Sequence, residues 1–208
     1  MKVAIIADDA LKKEWLEHGM QNTVLTEWSA EPFAVEGAGA YVDLLFYPDA
    51  ERTNKLKSLQ PAMIIVNSVI TTLEDLPENF IRINGWPGFL SRPVVEAGVV
   101  NHELKTPAEK IFALFNKTTR WVPDVPGFAA ARVICTIINE AYFALEEKVS
   151  TKEEMDMAMK LGTNYPYGPF EWGKKMGLKN VYDLLTCLSM KHSRYTPAPL
   201  LIKEALDS

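Results

Sequence analysis

The sequence contains few residues of the kinds that build metal sites or disulfide frameworks. It has two cysteines and three histidines among 208 residues. Cys135 and Cys187 lie in separate apolar helical patterns, where free thiols are commonly buried, and their spacing matches no zinc motif. We therefore expect neither a metal site nor a disulfide framework.

Positive charge and long apolar runs are also scarce. The formal net charge is -5, and no cluster of lysine and arginine interrupts it, which disfavours nucleic acid and anionic membranes as partners. The first apolar run, residues 3–7, is too short for a signal-peptide core, and no stretch approaches the ~20 apolar residues of a membrane span. We expect a cytoplasmic protein without a membrane segment.

Short apolar runs alternate with amphipathic segments in the first part of the chain. Strands are predicted at residues 3–7, 23–28, 42–47, 63–67, 80–84 and 93–100, and helices at residues 11–18, 52–59 and 107–116. This alternation is typical of βαβ units in a parallel sheet. We predict an α/β domain over residues 1–122.

The chain changes character at WVPDVPGF, where prolines and a glycine break the pattern. Over residues 128–145 apolar positions recur every three or four residues, which predicts a long helix with a wide apolar face. A further helix is predicted to begin with Ser150 or Thr151 as its N-cap and to end at Gly162. We predict an all-α domain over residues 123–208.

These segments resemble a known family. The sequences PGFAAARVICTIINEAYFALEE, DMAMKLGTNYPYGPFEWGKKMGL and RYTPAPLL match, in order, the PGF, Asn-Glu-Ala, PxGPFE and closing proline patterns of the 3-hydroxyacyl-CoA dehydrogenases. From Asp124 onward the chain resembles the helical C-terminal domain of that family. Upstream, NFIRINGWPGFLSRPVVE is similar to the segment that holds the family's catalytic pair. The resemblance implies an N-terminal Rossmann-like domain, here with a shortened parallel sheet, because family members devote more residues to it than 1–122.

The resemblance implies NAD as cofactor, bound at a GxGxxG turn after the first strand. Glycine allows the sharp bend, the close approach of pyrophosphate and the packing of the helix. Ala7, Asp9 and Lys12 take those three positions here. Asp8 and Asp9 would face a diphosphate at a cost on the order of several kcal/mol, so we expect NAD binding in the usual pose to be lost. Glu27 takes the position of the ribose-binding acid, and we favour the alternative of a solvated glutamate at a strand end.

In the family, a histidine acts as general base on the 3-hydroxyl of an acyl-CoA and a glutamate orients it. The match to FIRINGW places Asn84 at the histidine position and Glu96, twelve residues later, at the glutamate position. A carboxamide cannot take a proton in the working pH range, so we predict that Asn84 holds an oxygen without carrying a proton. Glu96 either lies in a cleft, paired with Arg92 or Arg82, or is an exposed strand residue. His102 is the best substitute base, and we favour a surface loop position for it.

Three further positions correspond to the family's substrate site. Asn67 and Ser68 resemble its polar strand end, with a plain strand terminus as the alternative. Ala131 stands where the family carries an asparagine, so a polar contact is absent. The helical domain forms the family's dimer interface, and the apolar face of residues 128–145, with the leucines of residues 184–188, predicts a homodimer.

Two functions follow from these observations. The first is an active, diverged NAD-dependent 3-hydroxyacyl-CoA dehydrogenase of fatty-acid metabolism. The second is a catalytically impaired relative that binds an acyl-CoA or a protein partner through its interdomain cleft. The changes at the glycine turn, the histidine position and the asparagine position favour the second, because function depends on the site and not on the fold alone.

Overall fold

A computed structural model describes residues 1–207, which form two compact units. The first unit comprises Met1–Phe128 and the second begins at Ala129. Within residues 1–207, no helix combines the length and the apolar character needed to cross a membrane. In the same part of the chain, no three histidine, cysteine, aspartate or glutamate side chains are grouped so that they could hold a metal ion.

The first unit is an α/β domain, as predicted. Its strands are β1 Lys2–Ile6, β2 Leu25–Ser29, β3 Ala38–Asp43, β4 Met63–Asn67, β5 Phe80–Ile83, β6 Val94–Val99 and β7 Thr118–Trp121. Its helices are α1 Asp9–Trp15, α2 Ala50–Lys57 and α3 Lys105–Ala113, with short 3-10 helices at Leu73–Asp75 and His102–Leu104. The strands form one sheet in the order β2-β1-β3-β4-β5-β6-β7, and every neighbouring pair is parallel except β5 and β6. The mostly parallel sheet confirms the predicted fold class.

One crossover of the sheet has no helix. Residues 30–37 connect β2 to β3, which lie on opposite sides of β1. Phe33 and Val35 of this segment pack with the apolar cluster on one face of the sheet. The Val35 N–H donates a hydrogen bond to the Tyr41 Oη at 2.9 Å, which fastens the segment to β3. An extended segment therefore covers the sheet where a βαβ unit would place a helix.

The alternation of side chains along β1 supplies both cores of this unit. Val3 and Ile5 are buried in one cluster, and Ala4 and Ile6 in the other. Successive residues of a strand point to opposite faces, so a strand buried on both sides is apolar throughout. The continuous apolar run after Lys2 thus indicates an interior strand.

The second unit is all-helical, which confirms the prediction. Its helices are α4 Ala130–Glu146, α5 Lys152–Thr163, α6 Pro169–Met176, α7 Leu178–Ser189 and α8 Pro199–Leu206, with a 3-10 helix at Ser193–Tyr195. Residues of the apolar face of α4 and leucines of α7 are buried. They are Cys135, Ile138, Tyr142, Leu184 and Leu185. These residues are therefore buried without a second subunit, and the homodimer remains a prediction.

The predicted C-terminal end of α5 is also corrected. Thr151 is the N-cap of α5 and forms a capping box with Glu154, but the helix continues through Gly162 to Thr163. Asn164 terminates it in a left-handed conformation, with φ 55°. Asparagine tolerates this conformation better than most residues, so the cap falls two positions later than glycine indicated.

Candidate active site

Polar side chains gather where the parallel strands end. The strands β1, β3, β4 and β5 run in one direction, so their carboxyl ends share one edge of the sheet. Asp43 ends β3, Asn67 ends β4 and Asn84 follows β5. In open α/β sheets ligands bind at this edge. The candidate site is built from this row and from Glu96, which the antiparallel β6 brings alongside.

Asn84 and Glu96 are in contact. The Asn84 Nδ2 donates a hydrogen bond to the Glu96 Oε2 at 3.0 Å. The Asn84 backbone N–H also donates to the Glu96 carbonyl at 3.0 Å, because β5 and β6 are antiparallel neighbours with Ile83 opposite Ala97. Asn84 is buried and Glu96 is half-buried. The structure thus brings together the two residues that the family resemblance selected.

One atom of this pair has no hydrogen-bond partner among the described residues, and it is the buried Asn84 Oδ1. Buried polar atoms are nearly always hydrogen-bonded, so an exception calls for a physical reason. The amide cannot satisfy both of its ends on Glu96, since an ionised carboxylate only accepts hydrogen bonds. The Oδ1 is therefore a buried acceptor that the protein leaves unsatisfied.

Both ends of the Asn67 amide are hydrogen-bonded, and they connect the ends of three strands. Its Nδ2 donates to the Leu44 carbonyl at 3.1 Å, and its Oδ1 accepts the Gly85 N–H at 2.9 Å. A Cβ at Gly85 would lie 2.8 Å from the Asn67 Cγ, so this approach requires glycine. The neighbouring Ser68 is buried and donates its Oγ proton to the Thr71 carbonyl at 2.8 Å.

Arg82 does not pair with Glu96, in contrast to one of the predicted alternatives. Its guanidinium is fully buried and donates to Asp124 Oδ1 at 2.6 Å, to the Ser68 carbonyl and to the Val69 carbonyl. Burial lowers the pKa of the Arg82 guanidinium, and Asp124 opposes that change. The register of β5 and β6 explains the result. Arg82 lies opposite Gly98, whereas Glu96 pairs with Asn84 two residues further along β5, and Arg82 instead reaches Asp124 in the segment after β7. The other candidate, Arg92, lies over the Phe89 ring at 4.9 Å.

His102 is not placed to act with Asn84. It is exposed in a 3-10 helix beyond the C-terminal end of β6, whereas Asn84 lies beside the N-terminal half of that strand. His102 lines a cavity of about 320 Å³ together with Lys105 and Trp121, and neither Asn84 nor Glu96 lines that cavity. The favoured interpretation of a surface position agrees with this placement.

The turn between β1 and α1 is closed by its own side chain. Asp8 is the N-cap of α1, and its Oδ1 accepts the Leu11 N–H at 2.8 Å. Asp9 is exposed in the first turn, and the Ala7 N–H is taken by the Ser29 carbonyl at 2.9 Å. A dinucleotide diphosphate binds such a turn through free N–H groups and the close approach of its backbone. The residues of this turn do not fit that group, since a carboxylate already occupies the end of the helix.

The other residues of the predicted cofactor site, Lys12 and Glu27, contact neighbouring side chains of the protein. The Lys12 ammonium lies 4.7 Å from the centre of the Trp28 ring. Glu27 is exposed, lies in the middle of β2 and pairs with Lys2 at 3.4 Å. The expected strand end at Glu27 is therefore corrected to Ser29, because β2 continues for two residues beyond it. These contacts agree with the favoured interpretation of Glu27 as a solvated glutamate.

Sequence reasoning missed a buried ion pair at the end of β3. Arg52 donates from Nε and Nη2 to the two Asp43 oxygens, each at 2.8 Å, and from Nη1 to Glu31 at 3.2 Å. Burial raises the pKa of the Asp43 carboxyl, and Arg52 opposes that rise. An aspartate inside the apolar run YVDLLF was the available signal. A Rossmann sheet binds its ligand beside the end of β1, and β3 is the neighbour of β1 here. The Arg52 guanidinium at this position is hydrogen-bonded to the carboxylates of Asp43 and Glu31.

Ala131 lies in the first turn of α4 and is completely buried in the helical unit. Its methyl group offers no hydrogen bond, as the sequence indicates. The adjacent Arg132 guanidinium lies 5.9 Å from the Tyr195 ring centre, within the same unit.

Known proteins resemble the chain in both sequence and fold. Residues 127–207 match the sequence model of the 3-hydroxyacyl-CoA dehydrogenase C-terminal domain. A 3-hydroxybutyryl-CoA dehydrogenase of Bradyrhizobium diazoefficiens is 34% identical over 134 residues, which are 62% of this chain and 46% of the relative. The 3-hydroxyadipyl-CoA dehydrogenase of Escherichia coli is 41% identical over 92 residues, which are 43% of this chain and 19% of the relative. The matched segments thus span less than half of these relatives.

The fold resemblance extends over nearly the whole chain. The crystal structure of an (S)-3-hydroxybutyryl-CoA dehydrogenase from Ralstonia eutropha superposes with a TM-score of 0.75 at 17% identity, covering 99% of this chain and 93% of that one. An Escherichia coli 3-hydroxybutyryl-CoA dehydrogenase structure is 30% identical with a TM-score of 0.57, over 68% of this chain and 31% of its own. The predicted resemblance to the 3-hydroxyacyl-CoA dehydrogenases is confirmed.

Proposed function

We propose that this relative of the 3-hydroxyacyl-CoA dehydrogenases binds an acyl-CoA and is impaired in oxidising it. The observation that carries the proposal is the hydrogen bond from Asn84 Nδ2 to Glu96 Oε2 at 3.0 Å. The orienting carboxylate is present and engaged, but the group that it orients is a carboxamide. The pair retains the shape of an acid–base dyad without its base.

The impairment follows from proton chemistry. When a hydride leaves a secondary alcohol carbon, the hydroxyl proton has to pass to a base. An imidazole accepts it near neutral pH, whereas the Asn84 amide does not. Loss of a general base typically lowers the rate by roughly 10²- to 10⁴-fold.

Weak NAD binding is part of the same proposal. NAD supplies the hydride acceptor for this class of reaction. The Asp8 carboxylate occupies the N-terminus of α1, and Asp9 adds a second negative charge in the first turn. A diphosphate placed there would meet two carboxylates in place of free N–H groups. We expect no NAD binding at micromolar concentration by calorimetry.

The alternative function is an active, diverged dehydrogenase. It is favoured by the fold match over 99% of the chain to a 3-hydroxybutyryl-CoA dehydrogenase. The two functions differ in an assay that mixes the purified protein with acetoacetyl-CoA and NADH and follows NADH absorbance. Turnover above about 1 s⁻¹ lies in the normal enzyme range and would favour the alternative.

The Asn84→His variant tests the observation that carries the proposal. Restored NADH oxidation would show that the base is the missing part, whereas an inactive variant that binds no NADH would identify the β1–α1 turn as a second defect. Asn54→His, on the exposed surface of α2, is the matched control for adding an imidazole. It should leave the rate of the wild-type protein unchanged.

We also propose that the chain forms a homodimer through its helical unit. The support comes from α5, none of whose residues is buried although it carries three methionines and a leucine. Met157 and Leu161 are 59% and 81% exposed. An amphipathic helix with an uncovered apolar face is stabilised when a second subunit covers it.

A further inference from the structure

We propose that the cavity lined by His102, Lys105 and Trp121 binds a small aromatic carboxylate. The cavity has a volume of about 320 Å³ and lies within the first unit. It is separate from the candidate active site, because Val99, which also lines it, ends β6 three residues beyond Glu96, or ~10 Å along the strand. Binding at this cavity does not depend on the proposed function.

Two basic side chains at the wall of the cavity have no acidic partner. Among residues 1–207, the side chains of Lys105 and His102 form no hydrogen bond or ion pair. Glu109 lies four residues after Lys105 on α3, which is a usual spacing for an ion pair on a helix. Its Oε1 instead accepts the Trp121 Nε1–H at 2.7 Å, and the Lys105 ammonium lies 5.6 Å from the centre of the Trp121 ring. The ammonium is therefore able to pair with an anion in the cavity.

The charge of Asp124, the acidic residue that lines the cavity, is compensated inside the protein. Its Oδ1 accepts a hydrogen bond from the Arg82 Nη1 at 2.6 Å, and its Oδ2 accepts the Leu73 N–H at 2.8 Å. Arg82 is completely buried, so Asp124 could turn towards Lys105 only by leaving a buried guanidinium without its counter-charge. The cavity wall is therefore locally positive, although the formal net charge of the chain is -5.

The rest of the wall is apolar and limits the size of the ligand. Val99, Val122 and Pro123 line the cavity together with the Trp121 ring. An aromatic ring is attracted to an indole in offset or edge-to-face packing, and a carboxylate on that ring can reach the Lys105 ammonium. A volume of about 320 Å³ lies at the lower end of the range for ligand cavities, which suits a molecule of about ten to fifteen non-hydrogen atoms and excludes a CoA ester.

The test is a titration of the whole protein, followed by NMR at the indole N–H of Trp121. That signal is identified among the five tryptophans by its loss in the Trp121→Phe variant. We expect benzoate to shift it in a saturable manner and to bind roughly tenfold more tightly than benzamide, which has the same shape without the charge. Inorganic phosphate, which has charge without a ring, should bind more weakly than benzoate.

Three results would contradict these expectations. A Trp121 signal that stays fixed up to about 20 mM benzoate would overturn the proposed site. Equal affinities for benzoate and benzamide would overturn the role of the positive charge. Phosphate that binds as tightly as benzoate would overturn the assignment of an aromatic ligand.

A pair of variants tests whether Lys105 supplies the charge. Lys105→Met keeps an unbranched side chain and removes the ammonium, so the preference for benzoate over benzamide should fall to about twofold or less. Lys110→Met removes the same charge from an exposed position of α3 outside the cavity and should retain the preference. The amide signals of each variant show whether it is folded. A full preference in Lys105→Met, or an equal loss in both variants, would overturn the role of Lys105.

Discussion

Arg82 carries its charge at a completely buried position in the middle of β5. Its three guanidinium nitrogens donate to three backbone carbonyls and to Asp124, and its guanidinium carbon lies 4.2 Å from the Phe128 ring centre. Asp124 also accepts the Leu73 N–H at 2.8 Å. A charge buried in this manner is tolerated only because each donor has an acceptor.

Removing the charge of Asp124 should therefore be costly. We expect Asp124→Asn to lower the free energy of unfolding of the first unit by about 3 kcal/mol, because Arg82 would remain buried without its counter-charge. Urea unfolding followed by tryptophan fluorescence measures the loss. Asp183→Asn, which breaks the exposed i,i+4 pair with Lys179, is the control and should change stability by less than about 1 kcal/mol. Similar losses in both variants would contradict the buried-charge argument.

The buried Lys117 makes the stability of the first unit depend on pH. Its buried ammonium donates to the Leu90 and Arg92 carbonyls, and desolvation lowers its pKa from 10.5 to about 8. The folded state loses this proton before the unfolded state does, so stability rises as the pH increases from about 8 towards 10.5. At lower pH the Lys117 ammonium is charged, and its desolvation lowers the stability of the folded state.

The Lys117→Met variant isolates this contribution. The difference in unfolding free energy between the wild-type protein and the variant should move in favour of the wild type between pH 8 and 10.5, by at most about 3 kcal/mol at ~1.4 kcal/mol per pKa unit. Denaturant titrations at several pH values measure the difference. A difference that stays constant over this range would mean that the Lys117 pKa is not lowered by folding.

The ends of β4 and β5 approach closely because Gly85, two residues after β5, has no side chain. A Cβ at Gly85 would lie 2.8 Å from the Asn67 Cγ and would push away the amide that joins Leu44 to Gly85. We expect Gly85→Ala to lower the unfolding free energy of the first unit by about 2 kcal/mol. The equivalent change at Gly162 meets nothing within 4 Å in the helix α5. There alanine should stabilise by up to about 1 kcal/mol, so opposite signs are expected, and equal signs would contradict the prediction.

Elements with a clear local pattern were predicted well. The strand β4 was predicted with its observed bounds, Met63–Asn67. The strand β3 was placed too late, because the apolar run continues past Asp43 into a loop and hydrophobicity alone marks no end. The helices α6 and α8 were not predicted, although Pro169 and Pro199 each stand at the first position of a helix, where proline is favoured.

Local sequence patterns also predict only part of the candidate site. The resemblance to the family's catalytic segment was sufficient to select Asn84 and Glu96. The antiparallel pairing of β5 with β6, which brings them into contact, was not predicted. No local pattern predicts the pair of Arg82 with Asp124, which are 42 residues apart. Nor does the sequence indicate the direction of the Asn84 amide, which depends on the contact with the Glu96 carboxylate.

The helices of the second unit differ in how far they are buried. The helices α4 and α7 each bury an apolar face, while α5 packs on α6 and buries none of its residues. The capping box of Thr151 and Glu154 and two acidic residues in the first turn stabilise α5 locally. The helix is therefore maintained with an apolar surface that its own unit does not cover.

The exposed apolar surface of α5 predicts the position of a dimer interface. We expect the protein to be a dimer, and the double change Met157→Glu and Leu161→Glu to make it monomeric, because two buried carboxylates per subunit would have no partner across an apolar contact. Sedimentation equilibrium over a range of concentrations measures the change. Leu25→Glu, at a position 65% exposed on the edge strand β2, introduces the same charge on the first unit and should leave the dimer intact. A monomeric wild-type protein, or a dimer that survives the double change, would show that α5 does not form the interface.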